Sequence, residues 1–503
     1  MLHHTNQEML DDVQVAIVGT GFAGLGLAIR LMREGIRDLV LLERADDVGG
    51  TWRDNTYPGA ACDIQSHLYS YSFRPNPHWS RTYASQPEIH AYLREAAWDE
   101  GVMPKIRFGA EVLAAGWDED QKVWSVQTPR GHVRAQFLVA ATGHLSDPRL
   151  PDIPGLDRFE GTIFHSARWD HSQSLDCLRV GVVGTGASAI QIVPAIAERT
   201  GHLTVFQRTA PHVIPRFDEE FSDADRRLFA RMPDVARDLR NRLFWGNESR
   251  YPQRRMVPEF LEEIEALADG HRRAQVSDPE LLAKITPDYT IGCKRVLLSN
   301  DWYPALCRDD VTLETSGITS VTPSGVTLTG GQHLELDALV LSTGFEATDL
   351  PIAHRLTGRD GVLLADQWST GGQAFASVAV HNFPNLFLMN GPNSGLGAGS
   401  VVYIIESQID YLHGAIAHGL EHEVILEVSA EAEEEYVRSV RERAEGTVWL
   451  SGGCASWYVD PRSGNLTTLW PDMMHRYRAK NARFVAAPYR TVPASPAREP
   501  VRL

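Results

Sequence analysis

Residues 13–18 (VQVAIV) form an apolar run that passes straight into residues 19–24 (GTGFAG), then into a helical pattern through Leu25, Ile29 and Met32. No other feature constrains this chain so strongly. A strand delivered through glycines to a helix is a nucleotide-binding turn. Gly19 permits the tight bend, Gly21 lets backbone approach a pyrophosphate, and Gly24 lets helix and strand pack. The helix N-terminus then offers unpaired N–H groups to phosphates. Gly35 ends the helical pattern, and a second strand over Leu39–Leu42 closes on Glu43, completing a βαβ unit.

The pattern recurs once. Arg179–Val183 is a strand, residues 184–189 (GTGASA) the turn, residues 190–198 the helix and residues 203–206 the next strand. Two units make a tandem, not a solenoid. They differ where nucleotides are told apart. Glu43 suits a free ribose diol and repels a 2′-phosphate. The second unit instead ends in Gln207, Arg208 and Thr209, with a guanidinium where a 2′-phosphate lies. FAD is therefore expected at the first turn and NADPH at the second.

At 503 residues the chain is long for one domain. From about 215 to 290 charged, helix-forming sequence takes over. Val235, Leu239 and Leu243 recur at helical spacing, as do Phe260, Ile264 and Leu267, and Ser277 with Glu280 reads as a capping box. Strands return at Ala338–Leu341 and at residues 385–388, and residues 401–409 read as a helix after a glycine-rich turn. The tail from about Ala487 reads as extended. The expected fold is α/β: two Rossmann-like dinucleotide-binding domains with a helical insertion. The FAD domain takes residues 1–150 and 375–503, the NADPH domain 151–214 and 291–374, and the insertion 215–290.

The formal net charge of −17 sets the average surface against nucleic acid and anionic lipid. No apolar run approaches a membrane span, and the polar, acidic start is no signal peptide. Cys62, Cys177, Cys293, Cys307 and Cys454 are scattered, with neither a CxxC pair nor metal-ligand spacing, and read as reduced thiols in a cytoplasmic protein. A flavin and NADPH without a dithiol leave dioxygen as the obvious electron acceptor.

Residues 159–170 (FEGTIFHSARWD) match the FxGxxxHxxxW(P/D) fingerprint of type I Baeyer–Villiger monooxygenases, and residues 49–63 (GGTWRDNTYPGAACD) match their GGxWxxxxYPGxxxD motif. The chain resembles that family from Val13 to about Trp470. The resemblance implies insertion of one oxygen atom of O2 beside a ketone carbonyl, giving an ester or lactone through a C4a-peroxyflavin. Residues 291–295 (IGCKR) resemble the segment holding the family's active-site arginine, which implies Arg295 as the catalytic cation and Asp63 as the carboxylate that holds it. A fixed cation lowers a peroxide's pKa and stabilises an oxyanion. Lys294 is placed to join Arg208 at the 2′-phosphate. The candidate cofactor contacts are Gly19, Gly21, Ala23, Gly24, Glu43, Thr51, Trp52, Asp63, Tyr69, Val112 and Val401 around the first turn, and Gly184, Thr185, Gly186, Ala187, Ser188, Arg208, Thr209, Lys294 and Trp457 around the second.

His165 and Trp169 read as linker and core residues. Relatives often carry His-Asn where this chain has Ala398 and Gly399, which removes side-chain contacts there. Three other readings are a flavin monooxygenase acting on sulfur or nitrogen, a disulfide reductase, and a non-catalytic flavin sensor. Trp169 with Asp170, the absent CxxC, and the retained arginines with both glycine turns weigh against them in turn.

Overall fold

The computed structural model describes residues 9–494 and contains two parallel cores joined by paired crossings. In the first sheet the strand Met9–Val18 lies between Gly131–Ala140 and Leu39–Leu42, parallel to both. Ile106–Arg107 extends one edge, and Leu386–Leu388 pairs beside Gly131–Ala140. The antiparallel strands Ala114–Asp118 and Val123–Thr128 complete the other side. Leu39–Leu42 is buried along its whole length, as a strand covered on both faces must be. The helix Phe22–Arg33 buries one side of this sheet together with the 21-residue helix Val401–Glu421.

The second sheet is fully parallel, in the order Val311–Glu314, His202–Phe206, Arg179–Val183, Ala338–Leu341, Thr162–His165. Its helix, Ala189–Ile196, ends two residues earlier than the sequence pattern indicates. Five helices lie between Asp223 and Lys284. They dock on the first domain: Arg240 donates to the carbonyls of His67 at 2.8 Å and Ser70 at 2.9 Å, and buried Glu248 accepts from the backbone N–H of Met474 at 2.9 Å. Phe260 and Leu267 are 39% and 38% exposed, so the apolar stripe read there is only partly covered.

Three expectations are corrected. The chain returns to the first domain well before residue 375, because Leu356–Thr357 pairs with Ala114–Asp118 and Leu364 and Trp368 lie in that sheet's core. Asp278, not Ser277, caps the helix Pro279–Lys284, accepting from the N–H groups of Glu280 and Leu281. Cys293 and Cys454 are joined by a disulfide, while Cys62, Cys177 and Cys307 are free. The two partners stand 161 residues apart, so no spacing rule pairs them. Part of the tail is a strand, Tyr489–Pro493, antiparallel to Val424–Val428; residues 495–503 lie outside the described residues.

Candidate active site

Each glycine turn presses against a strand-end turn of its own sheet. Gly19 has φ +104°, and a Cβ there would stand 2.7 Å from the carbonyl oxygen of Ala141. Gly184 repeats this at φ +109°, with a Cβ 2.5 Å from the carbonyl oxygen of Ser342. Only glycine fits either position. The 141–143 and 342–344 turns then lead into the crossings, which pair with each other: Arg149 N–H donates to Gly344 and Glu346 N–H to Asp147. His165 sits at this junction. It is buried, its Nδ1 accepts from Ala167 N–H, and burial depresses its pKa to about 4. Trp169 packs edge-on against Phe164.

The first turn is built to receive a dinucleotide. Gly21 is the N-cap of Phe22–Arg33 and makes no side-chain cap; its own Cβ position is open to 3.8 Å. Ala23 and Gly24 are buried in the first helical turn. Thr51 begins the short helix Thr51–Asp54; beside it the Trp52 indole N–H donates to the Tyr69 hydroxyl at 3.2 Å, and Tyr69 stands edge-on to Phe22. Val112 lies in the core near Glu43, whose backbone carbonyl accepts from Ala110 N–H. Val401 opens the long helix; Ser400 before it is fully buried and its hydroxyl has no partner. An uncapped helix, an open glycine and an orphaned hydroxyl fit a bound FAD.

Glu43 departs from the simple reading. Its carboxylate accepts from Thr20 N–H at 3.1 Å, the Thr20 hydroxyl at 2.6 Å and Ala45 N–H at 2.9 Å, and pairs with Arg53 at 2.8 Å. A ribose diol bound at Glu43 would have to share or displace the Arg53 contact. Nothing in the spacing of residues 49–63 marked Arg53 for this.

At the second turn Gly186 has open space around its Cβ position, and Gly186 and Ala187 are exposed. Thr185 donates to the carbonyl of Thr209 at 3.2 Å. Ser188 precedes the helix Ala189–Ile196 without capping it. Burial, and then the nearby charge of Arg208, push the Lys294 amine below its ordinary range. Two cations that repel across one site mark a place for an anion, which fits the 2′-phosphate of NADPH.

The two cofactor regions meet at Asp63 and Arg295. The guanidinium donates from Nε to one carboxylate oxygen at 2.6 Å and from Nη2 to the other at 2.7 Å. Both side chains are 29% exposed, so the pair faces open space rather than core. Burial alone raises the Asp63 carboxyl, but Arg295 holds it below the usual range; burial lowers and Asp63 raises the guanidinium, with the net change upward. The pair lines a cavity with Lys294, Gly397, Ala398, Val448 and Trp449. Ala398 lines this wall with only a methyl group.

Further contributors carried no mark in the sequence. Gln191 of the second domain clamps the loop after Trp52: it accepts from the Tyr57 hydroxyl at 3.0 Å and donates to the Ala61 carbonyl at 3.0 Å. The Cys293–Cys454 bond ties the arginine segment to the segment of Trp457 and Tyr458. Tyr458 is fully buried near Arg295, while Trp457 is 40% exposed and faces His144 on a crossing. Among the described residues no cluster suits a metal ion, and no helix is long and apolar enough to cross a membrane.

Residues 12–267 match the flavin-binding monooxygenase-like family. A Baeyer–Villiger monooxygenase of Streptomyces coelicolor is 46% identical over 98% of this chain and 95% of its own length. One from Pseudomonas aeruginosa is 45% identical over 95% and 91%. Among solved structures, cyclohexanone monooxygenase from Rhodococcus bound to NADP+ superposes with a TM-score of 0.86 at 29% identity, covering 96% of this chain and all of that one. A complex of OTEMO with FAD and NADP gives 0.84 at 26% identity, covering 95% and 99%.

Proposed function

We propose, for a chain that belongs to the Baeyer–Villiger monooxygenases of the flavin-binding monooxygenase family, a division of labour among the residues described above. The enzyme is an NADPH-dependent flavoprotein monooxygenase: ketone, O2, NADPH and a proton give ester or lactone, NADP+ and water. Bound FAD supplies the activation of oxygen, and the remaining work falls to the protein's own groups.

The observation that carries the assignment is the two-point grip of Asp63 on Arg295 beside the cavity. Two of the five N–H donors of Arg295 are taken by Asp63, which fixes the plane of the guanidinium and leaves other donors for the cavity. Held there, Arg295 stabilises negative charge as it develops on oxygen during attack on the carbonyl. Its raised pKa keeps it protonated at any working pH. Asp63 acts as a positioning residue. Gly21 and the uncapped helix behind it receive the FAD pyrophosphate, Glu43 the ribose, and Trp52 with Tyr69 an edge of the flavin. Gly184 to Ser188 receive the pyrophosphate of NADPH, and Arg208 and Lys294 its 2′-phosphate.

The need for NADPH argues for work in the cytoplasm, where the Cys293–Cys454 bond has to persist against reducing thiols. The net charge of −17 argues against nucleic acid as a partner. The test is NADPH consumption by the flavin-loaded protein over a ketone panel, with products identified by mass. Ketone-dependent consumption with a product 16 mass units heavier than the ketone, the mass of one oxygen atom added, supports the reading; consumption that no ketone alters, with no such product, refutes it.

A further inference from the structure

Two buried donors beside the Asp63–Arg295 pair have no acceptor. Arg254, on the short helix Tyr251–Arg254, is 8% exposed and lines the same cavity, yet its Nη2 has no hydrogen-bond partner. Tyr458, just outside the residues that line the cavity, is fully buried near Arg295, and its hydroxyl has no acceptor. The acid whose charge Arg254 feels most, Glu248, is engaged elsewhere: it accepts from the N–H groups of Met474 and His475 and from His475 Nδ1 at 2.6 Å.

A lone guanidinium taken out of water is costly, and buried charges are ordinarily paired. The cavity compounds the imbalance. Arg250, Arg254, Lys294 and Arg295 all line it, against Asp63 as the single carboxylate, already bound at both oxygens by Arg295. This positive wall occurs in a chain whose net charge is −17. The rest of the lining is mostly apolar, with Ile64, Ile214, Ile264, Ile291 and Val448, and its uncharged polar side chains are the amides of Asn247 and Gln253.

From the orphaned Arg254 donor in the wall of this positive cavity, we infer that the preferred ketone carries a carboxylate, received by Arg254 and assisted by the buried Tyr458 hydroxyl, while its carbonyl lies toward Arg295. The inference rests on the Baeyer–Villiger reading above and specifies its substrate class as an oxo-carboxylic acid with an aliphatic body. The rival anion, the 2′-phosphate of NADPH, is assigned to Arg208, which does not line this cavity, with Lys294 at the cavity's edge toward it; Arg254 is left without an anion.

The test compares the straight-chain methyl-ketone acids from 4-oxopentanoate to 8-oxononanoate with their primary carboxamides, which match them in length and remove the charge. The flavin-loaded enzyme is assayed with each, and esters are identified by mass. At least one acid is expected to exceed its carboxamide by about tenfold or more in kcat/KM, the worth of a charge-assisted hydrogen bond. Arg254→Gln is expected to lower kcat/KM for that acid about tenfold more than for the carboxamide, with the loss in the KM of the acid and not of NADPH. Tyr458→Phe gives a smaller selective loss. Carboxamides that equal or beat their acids throughout the series overturn the inference. So does an Arg254→Gln loss that is equal for both, or one that sits in the NADPH KM. Esters from the carboxamides in those cases leave the Baeyer–Villiger reading standing; the absence of any ester from acids, carboxamides and neutral ketones alike ends both. Should Arg254→Gln not fold, the wild-type comparison and Tyr458→Phe still decide.

Discussion

Arg295 and Asp63, 232 residues apart in sequence, meet through two parallel hydrogen bonds of 2.6 and 2.7 Å. A fork of this kind fixes direction as well as distance, which a single-point lysine contact does not. The carboxylate comes from the loop that Gln191 clamps, and the guanidinium from the segment that the disulfide anchors. Both domains thus converge on one ion pair.

The proposed role of Arg208 in cofactor choice rests on its place, exposed and near Lys294 at the end of the second βαβ unit. Arg208→Ala is expected to raise the KM for NADPH about tenfold or more while leaving NADH kinetics nearly as they were. Steady-state kinetics with both nucleotides check this. Equal losses for the two would remove Arg208 from the 2′-phosphate site.

The Cys293–Cys454 bond closes a long loop between the arginine segment and the segment of Tyr458. Removing it is expected to cost roughly 2–4 kcal/mol, as for other native disulfides. Thermal unfolding with and without reductant should show a lowered midpoint for the wild type and none for the Cys293→Ser, Cys454→Ser double variant, which starts low. Identical midpoints in all four samples would contradict the linkage.

His165 makes stability depend on pH. Burial lowers its folded pKa from 6.5 to about 4. Above pH 6.5 neither state holds the proton, so the group has no effect. As pH falls below 6.5 the unfolded chain is protonated first, and stability is lost down to about pH 4. At pH 5 the loss is about 2 kcal/mol. Asn can accept from Ala167 N–H as Nδ1 does, without titrating. Denaturant unfolding should therefore show His165→Asn gaining on the wild type by that amount between pH 7 and pH 5. A constant difference would exclude a neutral buried imidazole.

Local signals carried far in this chain, because nucleotide turns are written in consecutive residues. The Gly19 and Gly184 turns, the strands that feed them and Glu43 all obey rules of a few residues' range. Arg295 and Asp63 became legible only through motif likeness, since no periodicity links positions so distant. Gln191, Arg53, Arg254 and the Cys293–Cys454 pair carried no local mark at all. Each depends on which segments the fold brings together, and a helical arginine such as Arg254 looks solvated until its burial is known. The domain return near Leu356 escaped notice for a similar reason: a two-residue strand is too short for alternation to register.

The central claim is that Arg295 serves oxygen insertion rather than cofactor retention. Stopped-flow flavin reduction and product analysis on one preparation of Arg295→Ala test it most directly. The variant is expected to hold FAD and to be reduced by NADPH, yet to form ester at least about 10²–10³-fold more slowly, the usual cost of one preorganised electrostatic contact. NADPH is then consumed with release of hydrogen peroxide, and Asp63→Ala shows a milder form of the same uncoupling. Ester formation by Arg295→Ala at the wild-type rate would contradict the account.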